Sequence, residues 1–131
     1  MNTLTGKIVK IATSGEIGQV HVDVNGAIFT SILLDVNSFG ITNEESVKLL
    51  FKANEVLIAT KESRVSAKNA FLGKVIKIEQ GLILSEVTLE FQESSIKSII
   101  TTNSLQTLNI KEDMTFLWFV KANEVTLQKG H

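Results

Sequence analysis

The chain has 131 residues, 44% hydrophobic and 21% charged, a balance that buries a core instead of staying disordered. Lys and Arg number 13 against 14 Asp and Glu, so no global field draws in nucleic acid or an anionic membrane. Cysteine is absent, which removes disulfides, thiolate metal sites and a thiol nucleophile. The start, MNTLTGKIVKIATSG, lacks the apolar core of a signal peptide. No apolar run reaches the roughly 18 residues of a membrane span, so a soluble cytoplasmic protein is expected.

In chain order, GKIVKI (6–11) and QVHVDV (19–24) alternate apolar and polar residues and read as strands. Asn25-Gly26 is a hairpin signal, and AIFTSILL (27–34) follows it as the next strand. DVNSFGI (35–41) suits one helical turn, SVKLLF (46–51) is again strand-like, and a brief strand begins at Val56. The order then starts afresh: GKVIKI (73–78), SEVTLEF (85–91), the polar TNSLQTLNI (102–110), MTFLWFV (114–120) and a brief strand from Val125.

The chain is therefore a tandem repeat. KANEV occurs at Lys52-Ala53-Asn54-Glu55-Val56 and again at Lys121-Ala122-Asn123-Glu124-Val125. One fixed offset carries Asn2, Gly6, Lys7, Lys10, Ile11 and Val20 onto Asn69, Gly73, Lys74, Lys77, Ile78 and Val87. Copy one runs over about 2–61 and copy two over about 64–128, and domains at 1–62 and 63–131 are expected. Five short strands and one helical turn per copy predict an all-β protein of two tandem OB-like five-stranded barrels. A barrel this small buries its surface poorly alone, so oligomerisation is expected as well.

Conventional catalysis has little to build on, and an enzyme is not expected. His21 lies within a strand and His131 at the terminus, neither with a partner at ligand or triad spacing. Glu44-Glu45 and Glu112-Asp113 occupy equivalent polar turns and read as solvated carboxylates. Trp118 sits in FLWFV, a core pattern. Ser66, Lys68 and Asn69 differ in kind: a hydroxyl, a cation and an amide just before a strand donate hydrogen bonds and accept few. A tetrahedral oxyanion requires such a set. Thr101 and Ser104 place hydroxyls ahead of the second helical turn, and Lys121 ends the FLWFV strand. Taken singly, these stretches also read as a polar linker and a strand-end lysine.

Together, SAKNAFLGKVIKIEQG (66–81), IITTNS (99–104) and FVKANEV (119–125) resemble the Mop or TOBE family of molybdate-binding domains. The family pattern is S-A-R-N, then G-x-V, then I-T-x-x-S, then I-K-A-x-x-V, and the match covers copy two from end to end with the motifs in order and spacing. The tandem arrangement is similar to molbindins and to the ligand-binding half of molybdate-responsive regulators. The resemblance implies a homo-oligomer, dimer or trimer, that holds molybdate or tungstate at interfaces between Mop domains. It implies one half-site of Ser66, Ala67, Lys68 and Asn69 and another of Thr101, Ser104, Lys121 and Ala122. Arg64, Lys52 and Ala53 are implied secondary contacts.

Three departures stand out. Lys68 replaces the family's arginine, with Arg64, the chain's lone arginine, close by. Copy one starts at Met1-Asn2 without S-A-R. It also aligns Ile32 and Asp35 with Thr101 and Ser104, and an aspartate there repels an oxyanion. The expected function is cytosolic molybdate or tungstate storage or homeostasis. One alternative is the oxyanion-sensing domain of a transcription regulator. Another is an OB-type nucleic-acid binder, which needs a basic aromatic groove that this composition does not favour.

Overall fold

In the computed structural model, which describes residues 1–129, the alternating stretches form ten strands. Copy one supplies β1 (Asn2–Ser14), β2 (Ile17–Val24), β3 (Ala27–Leu33), the one-turn helix α1 (Val36–Phe39), β4 (Ser46–Phe51) and β5 (Leu57–Ala59). Copy two supplies β6 (Asn69–Gln80), β7 (Leu84–Phe91), β8 (Ser94–Thr101), helix α2 (Thr102–Thr107), β9 (Thr115–Val120) and β10 (Thr126–Lys129). Each KANEV forms a 3-10 turn, Ala53–Glu55 and Ala122–Glu124.

The strands make two antiparallel five-stranded sheets, ordered β10-β4-β1-β2-β3 and β5-β9-β6-β7-β8. The last strand of each copy therefore joins the other copy's sheet. Leu57–Ala59 pairs with β9, and Thr126–Lys129 pairs with β4. The compact units are Met1–Asn2 with Lys52–Val120, called here the Trp118 unit, and Thr3–Phe51 with Lys121–His131, the Phe29 unit. The ranges 1–62 and 63–131 mark the sequence repeat, while the folded units interleave. Exchange of this kind is inexpensive when the two exchanged segments are near-identical, as the paired KANEV stretches are.

Each unit closes on itself. In the Trp118 unit, Ser98 Oγ donates to Val56 O at 2.7 Å, tying β8 to the residues before β5. In the Phe29 unit, Ser31 Oγ donates to Val125 O at the same distance. Both serines are fully buried and would be costly without these partners.

The cores follow the period-two pattern. Trp118 is fully buried, with its ring 5.4 Å from Phe71 and 5.2 Å, edge-on, from Phe91. In the other unit Phe29 and Phe51 stack at 6.5 Å within a shell of Val20, Val22, Val24, Val47 and Leu49. The Asn25-Gly26 turn joins Val24 to its partner Ala27, with Asn25 at φ 49 and Gly26 at φ 94, and Asp23 Oδ1 accepts from Gly26 N at 2.7 Å.

A bulge interrupts β1 between Ile8 and Lys10 and β6 between Val75 and Lys77. The acidic turns dock there: Glu44 N donates to Ile8 O at 2.7 Å and Asp113 N to Val75 O at 2.8 Å. Glu44 and Asp113 both adopt positive φ, 71 and 73, so their repetition serves backbone geometry. Gly73 marks a close crossing, because a Cβ there would lie 2.8 Å from Glu90 O and 3.2 Å from Trp118 Cδ1. Gly73→Ala is expected to cost about 1–3 kcal/mol of stability by overpacking, read from urea unfolding; an unchanged midpoint would refute the crossing.

Candidate functional site

Thr101 ends β8 and caps α2. Its Oγ1 accepts from Ser104 N at 3.0 Å and donates to Ser104 Oγ at 2.9 Å. That arrangement occupies Ser104 Oγ as an acceptor and leaves its proton free to donate outward. Both side chains are exposed. The adjacent Thr102 has the opposite role. It is buried, its Oγ1 donates to Gly81 O at 2.8 Å, and it lies 2.7 Å from Ser85 Oγ. With its single proton committed to Gly81, Thr102 must accept from Ser85. Thr102 anchors the cap to the β6–β7 turn, a function that the sequence motif alone did not reveal.

The same cap exists in copy one with different chemistry. Asp35 is the N-cap of α1 and accepts from Ser38 N at 3.4 Å. Asp35 thus stands in Thr101's role and Ser38 in Ser104's. This corrects the alignment that set Ile32 and Asp35 against Thr101 and Ser104. In the ladder Thr101 itself pairs with Leu84, whereas the last pair of β2 and β3 is Gly18 with Leu33, so one further residue, Leu34, precedes the cap in copy one.

The second candidate group precedes β6. Ser66, Lys68 and Arg64 are exposed, and Ala67 is half-buried. Asn69 is fully buried as the first residue of β6, where it pairs with Val120. Its aligned counterpart Asn2 clamps backbone: Asn2 Nδ2 donates to Lys97 O at 2.9 Å and Asn2 Oδ1 accepts from Lys97 N at 2.8 Å. Lys68 and Lys121 are the next residues beyond the Asn69–Val120 pair, one on each strand. Lys121 and Lys52 precede the two 3-10 turns, both exposed, and Glu55 Oε1 accepts from Lys52 N at 3.2 Å. Ala53 is buried and Ala122 half-buried.

The two groups occupy opposite ends of one sheet. Thr101 pairs with Leu84 and Gln80 with Ser85, so the hydroxyl cap lies at the far end of β6 from Asn69. The separation is 80 − 69 = 11 residues, about 35 Å of strand at ~3.3 Å per residue. Lys121, which the motif grouped with Thr101 and Ser104, falls at the Asn69 end, where the chain leaves the Trp118 unit. Lys52 and Ala53 belong to the Trp118 unit.

The remaining candidates are structural. The half-buried His21 has Nε2 3.0 Å from Gln19 Nε2, His131 lies outside the described residues, and Glu45 Oε1 accepts from Thr42 N at 3.1 Å. Lys77 donates to Glu79 at 2.8 Å, which raises the lysine's pKa and lowers the carboxylate's, on a solvated strand face. Among the described residues no three His, Cys, Asp or Glu side chains are placed to hold a metal ion. No helix there is long and apolar enough to cross a membrane.

Known proteins share both the sequence and the fold. The TOBE domain model matches residues 65–127. Molybdenum-pterin-binding protein 3 of Clostridium pasteurianum is 33% identical over 64 residues, covering 48% of this chain and 94% of that protein. Molybdenum-pterin-binding protein 1 of the same organism is 34% identical over the same span. The cytoplasmic molybdate-binding protein ModG, in a crystal form with molybdate bound, superposes with a TM-score of 0.92 at 26% identity. That alignment covers 98% of this chain and 96% of ModG.

Proposed function

The chain belongs to the Mop/TOBE family, and from that membership we propose that it binds molybdate or tungstate in the cytoplasm, for storage or homeostasis, at a site shared between copies of the chain. The observation that carries the reading is the placement of the donors. A cationic end with Ser66, Ala67 and Lys68 and a hydroxyl end with Thr101 and Ser104 lie a whole strand apart in the Trp118 unit. One small dianion cannot touch both ends of one unit, so a second copy brings the cationic end to the hydroxyl cap. Asn69, buried as the first residue of β6, fixes where the Ser66–Lys68 segment enters the sheet, and Arg64 precedes that segment as a further exposed cation.

The chemistry is binding, not turnover. Hydroxyls, ammonium groups and free backbone amides donate to the four oxygens of a dianion whose desolvation is otherwise prohibitive. Every phosphate near neutral pH carries at least one proton, and a cage in which donors far outnumber acceptors leaves that proton poorly paired, whereas molybdate and tungstate bring none. Calorimetric titration is expected to show molybdate and tungstate binding at least about 10-fold tighter than phosphate, with affinity rising as protein concentration favours assembly. Equal affinity for phosphate and molybdate would sink the reading, as would tight binding by a strict monomer in a solution mass measurement.

A further inference from the structure

We infer that the loop tip Leu82-Ile83-Leu84 is the surface on which the second copy of this chain seats, beside the hydroxyl cap; the inference rests on the shared-site reading above. The three side chains are 94%, 73% and 56% exposed in consecutive positions, a pattern that costs solubility unless it is covered. A standard interface takes ~800 Å² per partner, more than three side chains supply, so a polar rim must supply the rest.

The occupant follows from position. Leu84 pairs directly with Thr101, and Ile83 O accepts from Thr102 N at 2.8 Å, so whatever reaches the cap also reaches the tip. The shared site requires the cationic end of another copy to arrive there, with its exposed Arg64 and Lys68. Glu79 and Glu86 line the cleft that Leu84 borders, each already paired with a lysine of its own chain, Lys77 and Lys97, so the tip's surroundings are charge-balanced and its apolar side chains carry the contact. Copy one provides an internal comparison. The corresponding end of the Phe29 unit also exposes apolar residues, Ile17 at 50% and Leu34 at 76%, but Gly15 and Glu16 break the run, and its cap carries Asp35. The unbroken apolar tip and the hydroxyl cap occur in the same copy.

Sedimentation of the parent chain, of Leu82→Ser/Ile83→Ser and of Leu72→Ser, each with and without molybdate, tests this. Leu72 is a 53% exposed strand residue and serves as the control. The parent and Leu72→Ser are expected to assemble. The double variant is expected to dissociate, its dissociation constant raised at least about 30-fold, while its circular dichroism still shows the folded strands because neither side chain belongs to a core. A double variant that assembles like the parent, or a monomeric parent, overturns the inference. A parent that assembles through the tip yet ignores molybdate sinks the shared-site reading and leaves the tip interface standing. A parent that binds molybdate beside a double variant with unaltered assembly sinks the tip alone.

Discussion

Thr101→Asp is expected to abolish molybdate binding while leaving the fold intact. Aspartate is a better helix N-cap than threonine, so the α2 cap that Thr101 Oγ1 now makes with Ser104 N survives the change. The chain already carries that solution once, where Asp35 caps α1. The ligand meets the opposite effect. A carboxylate about 4 Å from an oxyanion repels it by about 4 kcal/mol per charge pair at an effective dielectric of 20. Even half of that weakens binding roughly 30-fold, and the full value about 1,000-fold. Titration calorimetry reads the affinity and a thermal melt reads the fold. Binding within about threefold of the parent, in a variant that melts normally, would remove Thr101 from the site.

The strands and cores were legible because period-two alternation needs no tertiary information. GKIVKI, SEVTLEF and FLWFV announced their buried faces, and Trp118 is indeed core. The partner of each final strand was not legible. Val56-Leu57-Ile58 and Val125-Thr126-Leu127 follow identical KANE segments, so either could close either barrel, and nothing local marks which. The exchange was therefore invisible. So was the grouping of Lys121, which its motif tied to Thr101 and which the Asn69–Val120 pair sets at the other end of the sheet.

The cap shows a finer limit. Thr101 and Thr102 are adjacent and chemically identical, yet one faces out and the other is locked to Gly81 and Ser85 by contacts from another hairpin. Asp35 was set against Ser104 because the offset of the KANEV stretches, 121 − 52 = 69, was carried back across the helical turn, where the caps stand 101 − 35 = 66 apart. Side-chain type identified the chemistry, and strand register decided which atoms could share a ligand.

Register also assigns unequal weight to the two KANEV lysines. Lys121 follows Val120, whose ladder partner Asn69 ends the Ser66-Ala67-Lys68 segment, and the function proposed above counts its ammonium among the ligand's donors. Lys52 follows Phe51 at the end of β4, next to β1, whose first residue Asn2 is committed to the backbone of Lys97. An exposed strand-end lysine with no ligand is worth under about 1 kcal/mol, so neither Lys121→Met nor Lys52→Met should shift the thermal melt appreciably. Their effects on the ligand should diverge. Removing an ammonium from a dianion in a partly dry interface costs about 2–4 kcal/mol, so Lys121→Met is expected to weaken molybdate binding roughly 30- to 1,000-fold. Lys52→Met is expected to change it less than about threefold. If Lys52→Met proves the more damaging, the oxyanion is held by the lysine of the Trp118 unit, and the cationic end must be redrawn around Lys52 and Ala53.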